Sequence, residues 1–200
     1  MNKRDDVLNA ALRLFNEHGY HAVGVDWIRD EAQVSKMTLY KYFPNKDNLV
    51  EEVLKLRHSQ FKDSLESEVF RHSEPLERLN AFINWHVAWF FSQDFHGCMF
   101  IKATGEFHGI DNFLKVSQAH KDWVASLLTD LLSDAGVDYP SSLSQLFVIT
   151  IDGMIVNASI FHSLERIESA WNQLCKAASL PSLPLKTPSR SAVSMTKCNT

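Results

Sequence analysis

Between Gln33 and Lys46 the chain carries Lys36, Lys41 and Lys46 and no acidic residue, and Thr38, Tyr40 and Tyr42 alternate with those lysines. The chemistry open to such a segment is recognition of phosphate: ammonium groups neutralise it, hydroxyls donate to it, and flat rings lie against sugars or a thymine methyl. Any one of these side chains would be unremarkable on a solvated helix face. Together, on a segment that balancing acids avoid, they form a compact basic surface. Residues 1–50 as a whole hold seven Lys or Arg against seven Asp or Glu, so the basic character is local.

The elements that must position this segment can be read from spacing. Leu39 and Phe43, four residues apart, face inward on a helix from Lys36 to Tyr42. Ser35 is placed to cap it, and Pro44 ends it, because proline has no N–H and disfavours helical geometry before it. Upstream, Trp27, Ile28 and Ala32 mark a second short helix. Val7, Leu8, Ala11, Leu12, Leu14 and Phe15 mark a longer one from Lys3 to His18, with Asp5 and Asp6 at its start and Gly19 at its stop. Two short helices across a tight turn, packed on a longer first helix, make a helix-turn-helix unit whose second short helix can enter a major groove.

The run from Val34 through Leu49, with Ser35, Lys36, Thr38, Tyr40, Tyr42, Phe43, Pro44, Asn45 and Lys46, resembles the recognition-helix signature of the TetR family. Ala10, Phe15, Gly19, Ile28 and Ala32 fall where that family places its first-helix core, loop glycine and second-helix core. The resemblance covers about a quarter of the chain. It implies an all-helical homodimer that binds a palindromic operator and is released by a small-molecule effector. Carried over by position, it implies that Lys36, Thr38 and Tyr40 meet bases and that Lys41, Tyr42 and Lys46 meet the DNA backbone. Three positions depart from the pattern: Gly24 and Val25 where a hydroxyl is frequent, Gln33 where the turn has glycine, and Met37 where a small residue stands.

Between Trp85 and Trp123 the sequence is unusually aromatic. An apolar cavity with a few convergent polar groups is the usual form of a ligand site, although most aromatics in any core merely fill it. His86, Trp89, Phe90, Cys98, Lys102, Glu106, Phe107, His120 and Trp123 are the candidate lining. His96, Cys98, Glu106 and His108 prompt a metal or hydrolase reading, but Glu106 and His108 do not share a helical face and nothing fixes a base beside Cys98. No catalytic residue, metal or cofactor is expected. An architectural DNA-binding protein would be basic throughout, whereas residues 61–200 hold eleven Lys or Arg against fifteen Asp or Glu.

The frame is all-α: glycines are few, and the β-branched runs of regularly spaced strands are missing. Asn45 is placed to cap a long helix from Lys46 to about Arg71. Further helices end near Ser92, cross Cys98 to Phe107, and run from Asn112 to Ser133. Another runs from a cap at Ser141 or Ser142 to about Leu164, and a last one spans Ile167 to Ala178. Domains are expected over 1–48 for DNA binding and 49–179 for effector binding and dimerisation, with a disordered Pro- and Ser-rich tail over 180–200. A stripe of Phe147, Ile151, Met154, Ala158 and Phe161 is the expected dimer face. Three scattered cysteines fit neither a disulfide framework nor a zinc site. The N-terminal residues have no leader-like apolar core, and the most apolar stretch, 147–161, falls short of a membrane span, so a cytoplasmic protein is expected.

Overall fold

A computed structural model describes residues 2–109 and 111–188, and among these residues there are nine α-helices and no strand. They divide into two compact units, the first made of residues up to 60 together with 98–120, the second of 61–97 together with 121 onward. The unit boundary therefore differs from the expected break at 48.

In the first unit, α1 (Lys3–His18) starts where the Asn2 side chain accepts from the Arg4 amide at 3.1 Å and stops at Gly19, whose φ of 81° puts it in the left-handed region. The short helices α2 (Val25–Glu31) and α3 (Lys36–Tyr42) pack on it through Ile28, Leu39 and Phe43, all fully or almost fully buried beside Phe15 and Tyr20. Gln33, in the turn between them, has φ 52°. A side chain there costs on the order of 1 kcal/mol, which is why glycine is the usual occupant of such a turn. Helix α4 (Lys46–Val69) begins behind Asn45, whose side chain accepts from the Asn48 amide at 2.8 Å. The unit is completed by α6 (Met99–Glu106) and the first part of α7 (Asp111–Asp134). Bonds from α6 to the end of α1 bring it here: the buried Tyr20 hydroxyl donates to the Met99 carbonyl at 3.0 Å, and Lys102 Nζ to the Asn16 carbonyl at 2.7 Å.

The second unit is built from the end of α4, α5 (Pro75–Phe90, with proline in its first turn), the rest of α7, α8 (Pro140–Phe161) and α9 (Leu164–Ala177). Here the helix boundaries correct the reading from spacing. Helix α8 starts at Pro140 behind a left-handed Tyr139 with no side-chain cap, so neither Ser141 nor Ser142 caps it, and it stops at a left-handed His162. Ser163 then caps α9, accepting from the Arg166 amide at 3.4 Å, so α9 begins three residues before Ile167.

Two further expectations change. Within the described part of the expected tail, 180–188, Leu183 is buried, and its carbonyl accepts from Trp171 Nε1 at 3.1 Å. Asn84 secures the same strap from both sides, accepting from the Lys186 amide at 2.6 Å and donating to the Pro184 carbonyl at 3.3 Å. The remainder of the expected tail, 189–200, lies outside the described residues. Helix α8, with 22 residues, is also long and apolar enough to cross a membrane by length and composition. Its Asp152, however, pairs with Lys121, and one face packs on α9 through Phe147 and Trp171, whose rings meet edge to face at 5.6 Å. A paired charge and a covered face are what a core helix has.

The expected dimer stripe is corrected by the same packing. Phe147, Ile151, Met154 and Ala158 are 0 to 3% exposed within a single chain, and only Phe161 of that set reaches solvent. The face left open is Leu146, Ile149, Gly153, Val156 and Ile160, with the four large residues between 43 and 68% exposed.

Candidate nucleic-acid interface

Helix α3 is seven residues long and is held at both ends. Ser35 Oγ accepts from the Thr38 amide at 3.1 Å and also shares a 2.8 Å hydrogen bond with the Thr38 hydroxyl. At the other end the Phe43 amide donates to the Leu39 carbonyl, and Pro44 follows. With Leu39 and Phe43 buried, helical geometry directs Lys36, Met37, Tyr40 and Lys41 outward; all four are exposed, and Thr38 and Tyr42 are half-buried. Lys36 Nζ lies 3.6 Å from Asp26 of α2, an exposed pair of little net worth that a phosphate can replace. Lys41 Nζ sits 5.8 Å from the centre of the Tyr42 ring.

Lys46 starts α4, half-buried, with its ammonium 5.9 Å from the centre of the Phe15 ring. Burial pushes its pKa below the ordinary lysine range, and the charges of Glu106 and Asp47 oppose that. The six residues picked out by sequence thus fall on α3 and the α4 start of one unit. Two large apolar residues of the same unit are also exposed: Met37, 83% exposed at the start of α3, and Trp27 on α2, whose ring lies tilted on His18 at 4.8 Å between ring centres. Spacing alone reads Trp27 as core.

The nine candidate ligand residues are divided between the units. In the second, His86, Trp89 and Phe90 are buried and in mutual ring contact, and Phe61 meets Trp85, His86, Trp89 and Trp123 edge to face. Trp123 Nε1 donates to Glu66 at 3.2 Å. His86 Nδ1 lies 2.8 Å from the Phe82 carbonyl; a carbonyl only accepts, so Nδ1 carries the proton and Nε2 is left as an acceptor. Burial lowers the His86 pKa to about 4, keeping the ring neutral.

The other five belong to the first unit. Cys98 is buried at the start of α6, and Lys102 is bonded to the end of α1, its pKa pushed down by burial. Glu106 accepts from the Tyr20 and His21 amides, and the Phe107 ring packs between Tyr20, His21 and Phe113. His120 stacks on Phe100 at 3.8 Å between ring centres and shares a 3.1 Å contact with His58 Nδ1. Among the described residues no three His, Cys, Asp or Glu side chains converge on a point that could hold a metal ion.

Residues 7–53 match the family model of bacterial regulatory proteins of the tetR family. That segment is a TetR-type helix-turn-helix. The matched segment contains all of α2 and α3, the capping Ser35 and Asn45, and Lys46. Among curated proteins, the chain is 30% identical over 82 residues to the fatty acid metabolism regulator protein of Bacillus subtilis, covering 41% of this chain and 42% of that one. It is 46% identical over 56 residues to the transcriptional activator FasR of Mycolicibacterium smegmatis, covering 28% and 25% of the two chains. In such matches the chain spans less than half the length of its curated relatives. The fold extends further than the sequence likeness. A TetR-family transcriptional regulator from Streptomyces coelicolor superposes with TM-score 0.80 at 24% identity, over 88% of this chain and 96% of that one. The reduced form of NemR from E. coli does so with TM-score 0.79 at 19% identity, over 92% and 99%.

Proposed function

We propose that this chain is a sequence-specific DNA-binding transcriptional regulator of the TetR family, a repressor that works as a homodimer in the cytoplasm and leaves its operator when a small organic effector binds. The observation that carries the reading is α3: a helix capped at both ends, anchored by Leu39 and Phe43, that turns only basic, hydroxyl and aromatic side chains and one methionine toward solvent. In this reading Lys36, Thr38 and Tyr40 contact bases, and Lys41, Tyr42 and Lys46 contact the backbone.

The test is binding to a short pseudo-palindromic duplex. Affinity falls steeply as salt rises, because each lysine-phosphate contact releases counterions. Replacing Tyr42 or Lys46 weakens binding to all sequences alike, and replacing Lys46 also lowers the salt slope by about one. Replacing Lys36 or Thr38 changes sequence preference as well. Binding untouched by all four substitutions defeats the assignment.

The second copy covers the open face of α8. Leu146, Ile149, Gly153, Val156 and Ile160 recur at intervals of three and four residues, the spacing of a helix-helix seam, with the glycine allowing close approach. A groove of about 510 Å³ between α8 and α9, lined in part by Gly153, Met154, Ala170 and Gln173, gives a partner side chain a place to enter.

The effector is assigned to the second unit, where Phe61, His86, Trp89 and Trp123 offer aromatic surface and one acceptor nitrogen. Helix α4 supplies Phe61 to that unit and Lys46 to the other, roughly 1.5 Å of rise per residue apart, and is the lever between them. Two recognition helices in a dimer must meet successive major grooves about 34 Å apart, so a small tilt spoils both contacts. Coupling of this kind is reciprocal: operator DNA weakens effector binding by the factor by which effector weakens operator binding. Equal effector affinity for free and DNA-bound protein, measured by calorimetry, rules the lever out.

A further inference from the structure

The turn between α1 and α2 is held by a residue more than eighty positions away. Glu106, the last residue of α6, accepts from the Tyr20 amide with both carboxylate oxygens, at 3.1 and 2.9 Å, and from the His21 amide at 2.7 Å. His21 Nε2 donates back to the Glu106 carbonyl at 2.7 Å. The first-turn carbonyl of Met99 and the Lys102 ammonium tie the rest of α6 to Tyr20 and Asn16, so both ends of this helix are fastened to the end of α1. Gly19 completes the fit: its φ is 81°, and a Cβ there would stand 2.9 Å from Glu106 Oε1.

Tyr20 and His21 lie between the end of α1 and the start of α2, where no helix supplies acceptors for their N–H groups. A carboxylate is the strongest acceptor a protein has for two adjacent amides, and charge-assisted bonds are roughly twice as strong as neutral ones. The charged and titratable groups that act on the same spot are Tyr20 and His21 on the turn, Lys102 and Cys98 on α6, and Lys46 and Arg57 on α4.

We propose that Glu106 is a positioning residue for DNA binding: its carboxylate sets the turn over Gly19, Tyr20 and His21, and so fixes the entry of α2, against which α3 is aimed. Helix α6 is then a working part of the DNA-binding unit. The proposal rests on the DNA-binding reading of α3, and it places the control of that helix at a residue that touches no DNA.

The experiment uses the full chain as wild type, E106Q, E106A and G19A, with K46A as the DNA-contact control. Wild type binds the duplex, and E106A binds roughly tenfold more weakly, since a charge-assisted pair of bonds is lost. E106Q falls between them, because one amide oxygen can still accept. The Tyr20 and His21 amide protons exchange with solvent faster in E106A than in the wild type, while the amides of α3 keep their protection, a signature that general destabilisation would not produce. G19A weakens binding in the wild type and has a smaller effect in E106A, because the two substitutions break one contact. Should E106A not fold, E106Q still supplies both the affinity and the exchange rates. Wild-type protein that binds no duplex, with K46A indistinguishable from it, defeats the DNA-binding reading and the proposal together. Wild-type-like affinity in E106Q and E106A, or Tyr20 and His21 amides that exchange equally in the wild type and both variants, overturns the proposal alone.

Discussion

Ile149→Glu or Ile160→Glu is expected to give a folded monomer that no longer holds its operator. Both residues stand open on α8, at 68 and 64% exposure, so a carboxylate there disturbs nothing inside the chain. In the dimer the same side chains go under a second copy, where burying an isoleucine contributes about 1.5–3 kcal/mol and symmetry counts each residue twice. A charge in that seam removes this contribution and adds a desolvation cost. Sedimentation velocity at micromolar concentration checks it: dimer for wild type, monomer for the variants, with helical content and melting of a folded chain. Ala158→Glu is the contrast. Ala158 is wholly buried within one chain, so this substitution unfolds the second unit instead of splitting two copies. Variants at Ile149 and Ile160 that stay dimeric place the interface elsewhere.

Acid is expected to destabilise the second unit through His86. The buried ring is held neutral, chiefly by desolvation and further by the charge of Lys121, against the opposing effect of the Phe82 carbonyl, so its pKa falls to about 4 in the folded chain. In the unfolded chain it titrates near 6.5. Above that pH both states are neutral and His86 contributes no slope. Below it the unfolded state takes up a proton that the folded state refuses, so stability falls by about 1.4 kcal/mol per pH unit until the folded ring titrates, on the order of 3 kcal/mol in all. Urea unfolding followed from pH 7 to pH 4 measures it, and His86→Leu, of similar volume, should flatten that part of the profile. An identical slope in wild type and variant would assign the acid sensitivity to other groups. The result bears on the effector as well, because a ring kept neutral presents an acceptor nitrogen and no charge to whatever enters the aromatic cluster.

The helix-turn-helix was legible in the sequence because its determinants are local. Ser35, Leu39, Phe43, Pro44 and Asn45 each act within four residues of their own position, and the caps and ends they specify are those found. Gln33 likewise showed its left-handed turn by standing where a glycine is expected. Periodicity also located α1 to its residue bounds. It could not decide which side of α8 faces inward, since that helix is apolar all round and only the placement of α9, with Trp171 against Phe147, selects the buried stripe. Nor could composition foresee the strap over 180–188, which is bonded to Asn84 about a hundred residues earlier.

The sequence by itself determined the class, the helix-turn-helix elements and the residues on α3, because capping, helical period and proline are short-range physics. Tertiary structure alone decided that the aromatic candidates belong to two units, that α6 is bound to the first of them, and that Glu106 closes on Tyr20 and His21. Those outcomes rest on contacts between residues far apart in the chain. A carboxylate's partner at such a distance leaves no mark on the spacing around it, so only the folded chain reveals which amides it meets.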